Sequence, residues 1–165
     1  MGMDSYHVKV AAEAFAAGMF AQLGCDVSVQ YGADQPEYDL IVSLDDKLAK
    51  VSVKGSQDGG WGLTQSFKAG RTYSEAAQAW REKHGRNTIL CLVQFKGVSI
   101  GEAPRVYLAR PSDIERILAS CRNDRGDTIL YEHYTYKKGF GVGTRNAIPG
   151  DWVFSEKRLR ALLDG

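Results

Sequence analysis

The chain has 165 residues, with 21 Lys and Arg against 20 Asp and Glu, 44% apolar residues and 18 glycines. That is enough chain for one domain with a real core, and the composition excludes a wholly disordered or collagen-like protein. A formal net charge of +1 excludes a global basic excess, so any polyanion site has to come from local clustering. From Tyr6 to Leu23 the apolar residues Val8, Ala11, Ala12, Phe15, Ala16, Met19, Phe20 and Leu23 form a 3.6-residue stripe. This predicts a helix closed by Gly24. Residues 27–29, 38–44 and 48–54 read as strands, and the polar turn Asp45-Asp46-Lys47 makes the last two an antiparallel hairpin. The stretch 55–70 holds Gly59-Gly60-Trp61-Gly62 and reads as a long loop, a natural place for function.

Residues 74–84 read as a helix with Ser74 as its cap, and the almost continuously apolar run 88–95 as a strand covered on both faces. Its partner strand is 106–109. Pro111 opens a helix through Cys121, with Ile114, Ile117 and Leu118 facing the core. A tyrosine-rich extended segment (129–136) leads into a Gly/Lys stretch (137–143). Ser155 caps a last helix carrying Leu159, Leu162 and Leu163. Helices around a mixed sheet make an α/β sandwich of one domain, residues 1–165.

No stretch reaches the ~18 consecutive apolar residues of a membrane span, and residues 1–7 lack the basic-then-apolar pattern of a secretory signal. Cys25, Cys91 and Cys121 are far apart with no CxxC spacing, so they read as small buried hydrophobes in a reducing cytoplasm. His7, His84 and His133 are scattered, which argues against a zinc enzyme. The run Gly139-Phe140-Gly141-Val142-Gly143 lacks a full GxGxxG and a following helix, which excludes a dinucleotide site. No GxSxG elbow is present either.

Three residues carry chemistry. Asp39 interrupts an apolar strand, where a carboxylate is costly unless it is exposed, paired or bound to a cation. Lys54 ends the neighbouring strand, within reach of a shared site. Glu13 is an acid in a helix otherwise walled by alanine and phenylalanine. The order Ala12-Glu13-Ala14, Tyr38-Asp39-Leu40-Ile41-Val42 and Val51-Ser52-Val53-Lys54-Gly55-Ser56 resembles the PD-(D/E)XK nuclease superfamily over roughly the first 60 residues, especially its small resolvase-like and homing-endonuclease-like members. The resemblance implies a restriction-endonuclease-like fold and hydrolysis of DNA phosphodiesters with Mg²⁺ or Mn²⁺. It makes Asp39 the central metal ligand, Glu13 a helix-borne ligand, the Val53 carbonyl part of the metal shell and Lys54 the lysine serving the attacking water. By analogy it also implies pairing of two copies to cut two strands.

One position departs from the pattern. The family places Glu, Asp or Gln two residues before the lysine, and this chain has Ser52, a neutral and shorter side chain at a catalytic position. Gln57 or Asp58 after the strand, and Asp34 or Glu37 before Asp39, are the residues that would compensate. The alternative is a nuclease-fold domain without activity that binds nucleic acid or a protein partner. Basic and aromatic residues interleave at Trp61, Lys68, Arg71 and Tyr73 and again from Tyr131 through Lys137 and Lys138 to Arg145. Gln57, Trp61, Lys68, Arg71, Lys137 and Lys138 are therefore the expected nucleic-acid contacts. The tyrosines at 131, 134 and 136 read equally as half-buried sheet residues.

Overall fold

Alternation of apolar and polar residues suits one strand, Lys47–Ser56, to the middle of a five-stranded sheet. A computed structural model describes residues 2–30 and 37–165 of the chain. Within the described residues the chain forms two compact units. One comprises residues 1–58, 86–110 and 151–165, and the other residues 59–85 and 111–150.

The first unit holds α1 (Ser5–Gln22), β1 (Asp26–Val29), β2 (Leu40–Leu44) and β3 (Lys47–Ser56). The hairpin β2–β3 pairs Leu44 with Lys47 across Asp45 and Asp46, at φ 50° and 64°. Two positive φ values in a two-residue turn match the right-handed twist of the flanking strands, and Asp tolerates them better than most residues. β3 then pairs in parallel with a strand at Thr88–Gln94, which itself pairs antiparallel with Arg105–Ala109. The result is a mixed five-stranded sheet with β1 at one edge and Arg105–Ala109 at the other. The expected α/β class with a mixed central sheet is thus what the chain forms.

Helix α1 starts at Asp4, whose carboxylate accepts the His7 N–H at 2.9 Å. Its buried residues Val8, Ala12, Ala16 and Phe20 recur every four positions and lie against Leu40, Val42, Val51, Val53, Cys91 and Val93 of the sheet. The C-terminal helix Glu156–Asp164, capped by Ser155 through the Arg158 N–H, adds Leu159 and Leu162 to the same core. Side chains alternate across a strand, so Ser52, Lys54 and Ser56 point to the opposite face, beside Leu90, Leu92 and Gln94. The closest approach is at Gly55. A Cβ there would stand 2.8 Å from Val8 Cγ1, 2.9 Å from Ala12 Cβ and 3.0 Å from the Val8 carbonyl oxygen. Only glycine lets α1 cross β3 at this distance.

In chain order the second unit begins with β4 (Gly60–Gly62) and α2 (Tyr73–Glu82). The strands Thr88–Gln94 and Arg105–Ala109 are then β5 and β6 of the first unit. The second unit continues with α3 (Pro111–Asp124), β7 (Ile129–Tyr131), β8 (His133–Thr135) and β9 (Arg145–Ala147), and Glu156–Asp164 is α4. β4 pairs with β7, and β8 with β9. The Arg81 Nε lies 2.5 Å from Glu115 Oε2, tying α2 to α3. Among the described residues, no helix is long and apolar enough to cross a membrane.

Several boundaries differ from expectation. The glycine-rich loop contains a strand, because Gly60 allows Tyr131 and Ile129 to close over it: a Cβ at Gly60 would be 2.9 Å from Ile129 Cγ2. Thr72, not Ser74, caps α2. Its hydroxyl accepts the Glu75 N–H while the Glu75 carboxylate accepts the Thr72 N–H, a reciprocal pair that Ser74 cannot make. Residues 150–152 form a short 3₁₀ turn, and Val153 bridges to Tyr107. Tyr131 and Tyr134 are sheet residues and stack at 4.3 Å, while Tyr136 lies just past β8, buried, with its hydroxyl donating to Asp127.

Candidate functional site

Strand β2 ends at Leu40, opposite Val51, while β3 runs on to Ser56. Beyond that point β3 has main-chain groups on its β2 side with no strand beside them among the described residues. Asp39 fills the gap. Its own N–H donates to the Val51 carbonyl at 2.8 Å, and its Oδ2 accepts the Val53 N–H at 2.7 Å. The side chain thus replaces a missing strand carbonyl and is fixed by a charge-assisted bond. Main-chain groups of one strand residue face the same way, so the Val53 carbonyl lies on this same edge.

Glu13 follows Ala12 on α1, which the Gly55 crossing brings down onto β3. Burial raises its pKa above the ordinary glutamate value, and the neighbouring Asp39 carboxylate raises it further by charge and by a carboxyl–carboxyl hydrogen bond. The Lys9 and Lys54 ammonium groups oppose that shift. Glu13 Oε1 is enclosed, with Lys9 Nζ at 3.9 Å and no hydrogen-bond donor among the described residues. The Glu13 and Asp39 carboxyls are therefore electrostatic neighbours at the open end of the hairpin, and Lys54, on the other face of β3, is the weakest of the charges acting on Glu13. As carboxylates Glu13 and Asp39 repel; a proton on Glu13 or a cation between them relieves it.

The folded-state shift has a sign that can be measured. A carboxyl whose pKa is raised by folding contributes stability that is fully present below its unfolded value, 4.5 here, and is lost as pH rises through the folded value. Thermal melts in EDTA are expected to show the Glu13→Gln variant more stable than wild type at pH 7.5, with the gap closing as pH falls toward 4.5. Identical pH dependence in the two proteins would show that the two carboxyls do not interact.

Ser52 lies on the Lys54 face of β3, fully buried, and its hydroxyl has no hydrogen-bond partner among the described residues. Two of the proposed compensators have other partners. Gln57 is exposed and donates its amide to the Met3 carbonyl at 2.6 Å, and the Asp58 carboxylate accepts from the Ser56 hydroxyl at 2.9 Å. Asp34 lies outside the described residues. Among the described residues no group of three or more His, Cys, Asp or Glu side chains is placed to hold a metal ion.

The expected nucleic-acid contacts divide. Trp61 is 2% exposed and packs within the second unit, so its ring is core and offers no face to a base. Lys137 and Lys138 are exposed in the turn between β8 and β9. Lys68 and Arg71 lie before α2 and line an open cleft together with Arg125, a residue outside both basic-aromatic stretches of the sequence. The charged turn 122–125 after a helix is the one local signal for it. The cysteines are free and buried, and burial raises all three thiol pKa values, that of Cys121 to about 11, which leaves them unreactive at neutral pH. Comparison with protein-family models, with curated proteins and with solved structures returns no match.

Proposed function

We propose that this protein is a divalent-metal-dependent DNA endonuclease with a restriction-endonuclease-like fold, hydrolysing phosphodiesters at the open end of the β2–β3 hairpin. The observation that carries the reading is the Asp39 carboxylate fixed by the Val53 N–H at the edge of β3, with Glu13 on the overlying helix as its electrostatic neighbour. Two mutually repelling carboxylates, one with an enclosed oxygen that has no donor among the described residues, fit a small hard cation. Glu13, Asp39 and the Val53 carbonyl are the residues that would hold it. When bound, such an ion polarises a phosphoryl oxygen and makes its water more acidic.

The chain's own groups supply the rest. Asp39 is held by the Val53 N–H, so its free oxygen keeps a fixed direction without reorganisation. The raised Glu13 pKa would make cation binding there pH-dependent, favoured as pH rises. Lys54 presents its ammonium to the attacking water and to the charge that develops on the phosphoryl group.

The deciding experiment incubates supercoiled and branched DNA with Mg²⁺ or Mn²⁺. Wild type is expected to nick both, and Lys54→Ala to lose roughly a hundredfold or more of the rate, the scale of removing one electrostatic contact at a reacting centre. Cutting that needs no metal, or survives Lys54→Ala, refutes the assignment. A second reading, an inactive nuclease-fold domain that binds nucleic acid, is favoured by Ser52, whose buried hydroxyl stands where a third carboxylate would be expected. Duplex binding without any cleavage selects it.

A further inference from the structure

The second unit contains an open cleft of about 610 Å³ at the start of α2, lined by Lys68, Arg71, Thr72, Tyr73, Glu75 and Arg125. Its three cations come from two separate stretches of chain, the turn before α2 and the turn after α3. Lys68 Nζ donates to the Arg71 carbonyl at 2.8 Å and sits 4.5 Å from the Tyr73 ring centre. Arg71 donates to the Phe67 carbonyl at 3.1 Å, and the Arg125 guanidinium lies 4.9 Å from the Phe140 ring centre. Each cation is held by a neutral partner, and among the described residues none of the three is ion-paired. The one acid in the lining is Glu75, and its carboxylate is engaged by the Thr72 N–H at 2.9 Å. Because that reciprocal cap already serves the helix start, a ligand here has to be held by side-chain charge.

The position of Arg125 is built. The regular turns of α3 stop at Ser120, and Arg122, Asn123 and Asp124 all take left-handed conformations, at φ 53°, 54° and 65°. Three successive non-glycine residues in that region are unfavourable and persist only where neighbours enforce them. Arg122 does so. Its Nε and Nη2 donate to the Gly126 carbonyl at 2.8 and 2.6 Å, and its guanidinium lies 4.8 Å from the Tyr73 ring and 5.7 Å from the Tyr136 ring. Gly126 is itself at φ 98°, where a Cβ would strike Tyr73. Arg122 is thus committed to the fold, while the exposed Arg125 next to it is carried to the cleft.

We infer that this cleft is a phosphodiester-backbone site, gripping the phosphates of duplex DNA by charge and not by reading bases. Tyr73 already has two cations at its ring and Phe140 has one, so the aromatic groups brace the cations and do not offer stacking platforms. Binding at such a site is independent of sequence and falls steeply with salt. The choice of DNA rests on the nuclease reading; the cleft itself does not depend on catalysis.

The test is fluorescence anisotropy of a labelled 20-base-pair duplex with the full chain in EDTA, across a NaCl series. The Lys68→Ala/Arg71→Ala/Arg125→Ala variant is expected to bind at least about tenfold more weakly at low salt. The slope of log affinity against log salt is expected to flatten by about two to three, at roughly 0.9 for each phosphate no longer neutralised. Lys157→Ala, which removes one exposed charge from the first unit, is expected to change neither. If the triple variant fails to melt like wild type, Arg125→Gln alone is expected to flatten the slope by about one. An unchanged slope, an equal loss in Lys157→Ala, or no duplex binding by wild type overturns the inference. The nuclease reading fails separately: a cleft-dependent slope with no metal-dependent cutting refutes catalysis and leaves the site standing, whereas cutting that ignores the cleft variants and an unaltered slope refute the site alone.

Discussion

Asp39→Asn is expected to lower metal-dependent DNA cleavage by roughly a hundredfold to a thousandfold while the chain remains folded. The amide keeps the shape of the carboxylate, and its oxygen still accepts the Val53 N–H that Asp39 takes at 2.7 Å. What disappears is the charge. Replacing a charged acceptor by a neutral one costs about 1 kcal/mol, and removing the repulsion with Glu13 offsets part of it. Asp39→Ala is the harsher change, because it leaves the Val53 N–H without its acceptor, at about 1–3 kcal/mol. The pair separates catalysis from structure: plasmid-nicking rates for both, set beside thermal melts, should show Asn inactive and stable, Ala inactive and destabilised. An Asn variant that cuts at the wild-type rate sinks the metal-ligand assignment.

The largest effect on stability is expected at Gly55, and its origin is steric overlap. A Cβ there would fall within 3.0 Å of Val8 Cγ1, Ala12 Cβ and the Val8 carbonyl oxygen, so Gly55→Ala has to push α1 off the sheet. Overpacking of this kind costs about 1–3 kcal/mol, and each kcal/mol lowers the melting temperature of a chain this size by roughly 2–4 °C. Glu13 rides on the displaced turn, next to Ala12. Cleavage by Gly55→Ala is therefore expected to fall even at temperatures where the variant is fully folded. Ala12→Gly in the same chain removes one of the three overlaps and should restore part of both losses, read as a coupling in a double-mutant cycle. Independent, additive losses would mean that the helix is not seated by this crossing.

How much of this could be read from residues alone follows from where the information is local. The 3.6-residue stripe of α1, the Asp45–Asp46 turn and the apolar run of β5 are decided within short windows, and each forms close to its expected bounds. The order of Glu13, Asp39 and Lys54 is visible in the sequence too, and Asp39 is the electrostatic neighbour of Glu13 in the fold. Features that escape such a reading depend on partners far along the chain. Gly60-Trp61-Gly62 has no strand propensity of its own and pairs because Ile129–Tyr131 lies beside it. Trp61 resembles a stacking surface for the same reason: nothing local says that its ring is enclosed. Arg125 joins Lys68 and Arg71 only through the left-handed turn at Arg122–Asp124, which no periodicity announces.

The alternation of the two units along the chain has a consequence for the order in which activities arise during synthesis. Everything proposed for bond cleavage lies before residue 58, whereas the cleft needs Lys68 and Arg71 from the first excursion into the second unit and Arg125 from the next, after β5 and β6. A nascent chain, made from its N-terminus at about 5–20 residues per second, completes its acids and lysine several seconds before it can hold a polyanion. On this reading the groups proposed to cut are made first and the proposed grip last, so an unfinished chain would carry the former without the means to retain DNA.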